Sequence, residues 1–405
     1  MDKPKATRLH WIDEDLGTIE LPKAPLRFTR SFGSGLSRRA SDPPGLVWAV
    51  GDRGPNLKIK TLLERYGAEH LAPLKAENGA KVMPRLDVGP MVAQLQVDGE
   101  RVRLVSSFPI SDTNGQPVSG LPMAGSAHAV SEPAFSLEGE RLEPDPSGLD
   151  SEGIAALEDG GFIVSEEFGP SLVRLAEDGR VIGRFLPESI AAEGALYPVH
   201  PTLPAIAAKR QLNRGFEGVA VSNDGKWLFV AFQSPLAHPD EATHERARHV
   251  RLWRIDLATM TAVREYLYPL DAPETFARDV AKGPFGQSDL KVSELVWLPG
   301  DRLLVLERGS ETTKIYQVTL GDGSVIADMD ERPTLEERSA AGEDLPSLDK
   351  HLLFSSDDAP EVSADLEGMA ILSPTELLLV SDSDFGTEGA ETAFWKLTVA
   401  APVLC

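Results

Sequence analysis

One pattern recurs four times along the chain, and it leaves few folds open. Ser151–Phe168 reads SEGIAALEDGGFIVSEEF: two short apolar runs, Ile154–Leu157 and Phe162–Val164, joined by Glu158-Asp159-Gly160-Gly161. Two such runs around a glycine-containing link read as a β-hairpin. The plan returns at Phe216–Gln233, Val292–Arg308 and Leu366–Asp382. Each copy opens on a glutamate and closes on polar residues. The opening residues Glu152, Glu217, Glu294 and Glu367 stand 65, 77 and 73 residues apart. A unit recurring at that period signals a repeat architecture. Each unit has room for four strands and a loop, so the expectation is a propeller blade.

A degenerate fifth copy occupies Ser34–Arg53, where Gly35-Leu36-Ser37 replaces the Glu-Gly pair and Leu46–Val50 leads to Asp52 and Arg53. From Leu36 to Glu152 is 116 residues, so one blade carries an insertion or a sixth lies hidden there. The expected fold is all-β, a single propeller of five or six blades of four antiparallel strands. It spans 26–405 behind a polar segment 1–25, with a long loop insertion at about 109–150. Asn56–Ile59, Gln94–Gln96 and Arg101–Phe108 read as further strands, and a short helix is expected near Ala191–Ala195. Leu26–Phe32 could complete the last blade with Thr392–Val399, Asp271–Leu290 reads as a lid or loop, and Ser324–Asp349 as an exposed acidic stretch.

Composition narrows the partners. Of 405 residues, 63 are acidic and 40 basic, a net charge of −23, which argues against nucleic acid or an anionic membrane as partner. An anionic small molecule stays open, since a bound cation can reverse the local sign. No apolar run approaches the roughly 18 residues of a membrane span. Met1–Arg8 carries no apolar leader, from which a cytoplasmic location is expected. The single cysteine, Cys405, excludes an intrachain disulfide and a cysteine-based metal centre. Oligomeric state is left open.

In a propeller the first strand of each blade lines the channel, and an antiparallel hairpin sets the start of that strand beside the end of the next. The opening glutamates should therefore converge with the closing polar residues on one mouth. Gathered carboxylates repel unless a cation sits among them, and hard oxygen ligands suit Ca²⁺. Glu152, Glu217, Glu294, Glu367, Asp52 and Asp382 are the candidate metal ligands. Glu166 or Glu307 would be a general base, and Arg53 or Arg308 would hold an anionic group. The competing reading is that the repeated Glu-Gly serves the backbone of the next blade, and that the arginines neutralise nearby acids. His238, His244 and His249 fit no metal spacing and read as a solvated loop; His128 is a lone loop histidine. Trp48, Trp227 and Trp297 read as core. Nucleophile-elbow, phosphate-loop, zinc-protease and dinucleotide motifs are absent.

The phrases DSEGIAAL…GGFIVSEE, NRGFEGVAVSNDG, VSELVWLPGDRLLVLERG and DLEGMAIL…LLLVSDSDFG, in this order, resemble the bacterial phytase-like family known for an esterase-like activity of phytase. The resemblance covers roughly residues 30–400 and implies a β-propeller that hydrolyses phosphate or other esters. Asp382-Ser383-Asp384 stands where Asp-Asn-Asp or Asp-Asn-Glu is expected, which puts a contact by Ser383 in doubt. The function expected is metal-assisted hydrolysis of a small-molecule ester, a phosphoester first. A non-catalytic binding propeller and a lactonase or carboxylester hydrolase are the alternatives.

Overall fold

The computed structural model describes residues 3–125 and 131–404. The chain is all-β, and its main body is five sheets of antiparallel neighbours. The four full hairpin copies open four of these. Ser151–Ala156 pairs with Phe162–Glu166, Phe216–Val221 with Trp227–Phe232, Lys291–Leu298 with Arg302–Arg308, and Leu366–Ser373 with Glu376–Ser381. The degenerate copy opens the fifth, Gly35–Ser37 beside Leu46–Gly51.

Two further strands complete each sheet. Alternating and β-branched runs such as His249–Asp256 and Thr313–Thr319 supply them, because a half-buried pleated surface favours those residues. The second sheet gains a parallel edge strand, Val199–Leu203. The last sheet is completed from the other end of the chain. Lys5–Leu9 pairs with Phe394–Thr398, from Lys5 opposite Thr398 to Leu9 opposite Phe394. Leu26–Thr29 instead pairs with Asp15–Ile19 in a small ribbon of its own.

The long interval before Glu152 holds two insertions. One separates Leu46–Gly51 from its partner Met91–Asp98, and the other follows Arg101–Pro109. Together they form a three-stranded satellite of Leu57–Lys58, Lys81–Val82 and Ala134–Phe135. The strand expected at Asn56–Ile59 belongs to this satellite, and its last residue begins a short helix, Ile59–Thr61. No helix forms at 191–195; the nearest helical turn is Ala205–Lys209. Asp271–Leu290 holds the short helix Ala277–Lys282, pinned where the Asp279 carboxylate accepts the backbone N–H groups of Ser310, Glu311 and Thr312 at 2.7–2.8 Å.

The first strands of the five sheets pack on one another in cyclic order. Gly35–Ser37 meets Ser151–Ala156, which meets Phe216–Val221, then Lys291–Leu298, then Leu366–Ser373, which returns to Gly35–Ser37. The glycine of the Glu-Gly pair explains how close they come. A Cβ on Gly153 would lie 2.6 Å from the Glu217 carbonyl oxygen, and one on Gly218 would lie 2.5 Å from the Leu295 nitrogen. Those obstacles are backbone and cannot swing aside. Each of these four hairpins also slips register beside its opening glutamate. A bulge of this kind re-aims a side chain out of the ladder. The sequence pair Glu-Gly thus does two jobs at the axis: one residue turns inward and the next leaves room.

Gly218→Ala should therefore cost about 1–3 kcal/mol by overpacking. Gly321→Ala, where an added Cβ meets nothing within 4 Å, should stay within about 0.5 kcal/mol of the parent. Urea unfolding of the two variants checks the contrast.

Candidate functional site

Seven carboxylates form a continuous array where the inner strands begin. Glu152, Glu167 and Glu217 each bring an oxygen within 4.8 Å of the others; so do Asp52, Asp150 and Glu152, and so do Asp52, Asp382 and Asp384. Glu152 and Asp52 are shared, which joins the three groups. Four of the six expected metal ligands are present: Asp52, Glu152, Glu217 and Asp382. Asp150, Glu167 and Asp384 complete the array.

Glu294 and Glu367 lie outside these groups, for different reasons. In the fourth hairpin the unpaired residue is Ser293, and Glu294 is back in register opposite Leu306. A shift of one residue reverses the face a side chain takes. Glu294 is fully buried and accepts the backbone N–H groups of Leu36 and Leu295 at 3.0 Å and of Met369 at 3.4 Å, tying three neighbouring sheets together. Here the backbone-serving alternative describes the glutamate well. Glu367 does turn inward, but Arg308 takes it: the guanidinium donates to Glu367, to Asp365 and, at 2.9 Å, to Ser293 Oγ.

Alternation also sorts the closing pairs Glu166-Glu167 and Glu307-Arg308. Glu167 and Arg308 face the recess, and their neighbours face away. Glu166 is fully buried against Arg184 at 2.7 Å and accepts from the Ser171 hydroxyl at 2.7 Å and the Phe168 N–H at 2.9 Å. Glu307 accepts from the Tyr268 hydroxyl at 2.6 Å, Asp271 N–H at 2.7 Å and Lys350 Nζ at 2.7 Å. Neither carboxylate of this expected base pair has an open lone pair toward the array. Arg53 faces the array but is held by Glu132 at 2.7 Å and Asp150 at 3.3 Å, and stacks 5.1 Å from the Phe168 ring. The Asn213 amide lies between Glu132 and Glu167 and donates to both, at 2.9 and 3.2 Å.

The remaining candidates fall elsewhere. Ser383 is fully buried on Ser31 and Thr392, each 3.2 Å away, and takes no part in the recess. His238 and His244 are buried rather than solvated, bonded to the carbonyls of Met329 and Pro235 at 2.9 and 2.7 Å, while His249 meets Ser339 Oγ at 2.8 Å. His128 lies outside the described residues. The three tryptophans pack aromatic and cationic neighbours away from the array: Trp48 on Phe162, Trp297 on Phe229, and Trp227 under Arg254.

The electrostatics of the array would suit a cation. Burial, reinforced by Glu217 and Asp150, pushes Glu152 well above the usual carboxylate range. Burial also raises Glu217 to about 8, Glu167 to about 7 and Asp52 to about 6, each with a neighbouring carboxylate adding to it. Asp150 Oδ1 is buried without a hydrogen-bond partner, as is Gln233 Oε1 beside Glu217. Glu217 itself accepts from Gln233 Nε2. Orphaned buried oxygens cost of order 1–3 kcal/mol each, which a bound cation would recover. An all-oxygen donor set fits a hard divalent ion such as Ca²⁺.

Comparison with known proteins bears on what this recess serves. The model of the phytase-like family, described as esterase-like activity of phytase, matches residues 32–385. The chain belongs to the phytase-like family. The match itself carries no restriction to bacteria. An uncharacterized secreted protein of Arthroderma benhamiae is 27% identical over 308 residues, 68% of this chain and 56% of that protein. The chain thus spans little more than half the length of the curated relative it matches. That relative overturns the expected cytoplasmic location, which rested on Met1–Arg8 alone. Among solved structures, the chain resembles a PQQ-bound aldose sugar dehydrogenase from Streptomyces coelicolor (12% identity, 98% of both chains, TM-score 0.37). It also resembles a luciferin-regenerating enzyme (12%, 97% of this chain and 98% of the other, TM-score 0.36). Among the described residues, no helix is long and apolar enough to cross a membrane.

Two outcomes follow from this geometry. Carboxylates raised in the folded state hold protons that the unfolded chain has already released, so their contribution to stability falls as pH rises from about 4.5 toward 8. A cation replaces those protons. The gain in Tm on adding Ca²⁺ should therefore grow from pH 5 to pH 8, and a gain flat across that range would count against the array as its seat. Glu166→Gln should lower stability by about 3–5 kcal/mol through the stranded Arg184 while leaving the Ca²⁺ response intact, as measured by denaturant titration with and without Ca²⁺.

Proposed function

We propose that this phytase-like protein is a metal-assisted ester hydrolase, acting on phosphoesters first, with its active site at the mouth of a five-bladed β-propeller. The ring of inner strands supports the architecture. The single observation that carries the chemistry is the seven-carboxylate array with the unpartnered oxygen of Asp150 inside it.

In this reading Asp52, Asp150 and Glu152 hold the cation, with Asp382 and Asp384 closing one side of the seat. Bound there, Ca²⁺ would polarise the ester oxygen and ease deprotonation of a water. Glu217 takes the proton from the attacking water; its value near 8 without a cation puts it in the range of a working base, and Gln233 fixes its orientation. As the water oxygen bonds to phosphorus the ester P–O bond breaks, and Glu167, beside Glu217, relays the proton to the departing alkoxide. Arg53 and Arg308 shape the recess through their own carboxylates. The secreted relative supports action outside the cell, where Ca²⁺-binding modules work with affinities on the order of 10⁻⁴–10⁻³ M. The family's esterase-like description keeps a carboxylester or lactone as the second reading.

Turnover of p-nitrophenyl phosphate and p-nitrophenyl acetate, in Ca²⁺ and in chelator, tests the proposal. Phosphate ester cleavage that needs Ca²⁺ and falls about 10²-fold or more in Glu217→Gln is expected. Asp150→Asn should weaken Ca²⁺ binding. Cleavage of the acetate alone would transfer the assignment to a carboxylester hydrolase. Cleavage of neither, with Ca²⁺ bound, would leave a binding propeller.

A further inference from the structure

Positive charge is unevenly satisfied around this recess. Lys291 opens its inner strand directly across the ladder from Arg308. Residues directly opposed in an antiparallel pair share a face, and like charges in that position repel. Arg308 has acceptors of its own in Asp365, Glu367 and Ser293. Lys291 has none: among the described residues its ammonium makes no hydrogen bond and no ion pair. Arg214 enters the same corner from the turn before Phe216–Val221. Among the described residues its Nη1 donates to the carbonyl of Leu290, the residue preceding Lys291, at 3.5 Å, and it forms no ion pair.

The corner adjoins the array. Arg308, Lys291 and Arg214 are the three cations whose fields act on Glu217. Their mutual repulsion acts on Lys291, which is brought down to about 8, first by Arg308 and then by burial and Arg214, against the opposing pull of Asp365 and Glu367. Carboxylates act on both cations from a distance, Asp365 and Glu367 on Lys291 and Glu167 and Glu217 on Arg214, but among the described residues neither cation is hydrogen-bonded to one, a costly arrangement that a bound anion would complete. A phosphate monoester dianion carries the two charges required, and an ammonium beside a guanidinium can donate to more than one of its oxygens.

We infer that Lys291 and Arg214 form the anion subsite of this recess and take the phosphate group of the substrate, the role the sequence suggested for Arg53 or Arg308. The inference rests on the hydrolase reading for the word substrate, and on the local charge arrangement alone for the binding of phosphate.

Calorimetric titration of the Ca²⁺-loaded full chain with inorganic phosphate tests it. Wild type should bind. Lys291→Met and Arg214→Gln should each weaken phosphate binding by about tenfold or more, with Ca²⁺ affinity changed less than about twofold. Lys291→Arg, which keeps the charge, should restore most of the affinity and guards against a folding defect in the methionine variant. No phosphate binding by wild type, unchanged binding in Lys291→Met, or an equal loss of Ca²⁺ affinity would overturn the subsite. Loss of phosphate binding in Lys291→Met beside a wild type that cleaves no ester would uphold the subsite and sink the hydrolase. Calcium-dependent ester cleavage with phosphate affinity indifferent to Lys291 would do the reverse.

Discussion

Backbone meets backbone at the centre of this molecule, and that closeness fixes nearly everything else. Gly153 and Gly218 have no room for a methyl group because the next inner strand occupies the space. With the ring so tight, a regular strand would send its first side chains into a neighbour. The register slips beside Glu152, Glu217 and Glu367 answer that problem by turning one long polar side chain into the opening. Crowding of strands therefore becomes crowding of carboxylates. The recess is acidic because of how the sheets close on one another, before any ligand is considered.

Charge balance then divides the arginines into two populations. Arg184 with Glu166, just behind the array, and Arg251 with Glu265 and Glu336, away from it, are fully buried pairs. Such pairs contribute less to net stability than to a unique arrangement, since an unmatched partner would be severely penalised. Arg53 and Arg308 face the recess yet are equally committed to carboxylates. What is left over is a run of anions from Glu217 through Glu152 to Asp384 and, beside Glu217, two cations that among the described residues have no hydrogen-bonded carboxylate, Arg214 and Lys291. Non-glycine backbone is held left-handed at Asn213, Asp365 and Asp384, all at this boundary. Asparagine and aspartate tolerate that conformation best.

Hairpin repetition was plain in the sequence because period-two patterning and glycine turns act locally. The five inner strands, four of six metal-ligand candidates and the face they share all follow from it. The losses came from places where one residue decides the outcome. Glu294 matched the motif by letter, but its bulge sits at Ser293, so the side chain entered the backbone of adjacent sheets. Glu166 and Glu167 are indistinguishable as letters, yet opposite as faces. The pairing of Lys5–Leu9 with Phe394–Thr398 joins positions nearly four hundred residues apart, which no local pattern encodes. Partnership was equally hidden: nothing in the string says that Arg308 is satisfied and Lys291 is not.

A net charge of −23 might be thought to exclude an anionic substrate. Distance settles the matter. Exposed charges are screened over about 8 Å at physiological ionic strength, so most of the acidic surface is silent at the recess. Among the buried carboxylates fields are screened far less, so the balance among a few groups governs. A divalent cation among Asp52, Asp150 and Glu152 would cancel two of the nearby negative charges and leave Lys291 and Arg214 opposed by fewer of them. The same overall charge would still slow the approach of an anion from bulk solvent. Recognition of a phosphate here would thus be local and cation-dependent: a metal seated among the carboxylates would make the site acceptable to an anion that the rest of the surface repels.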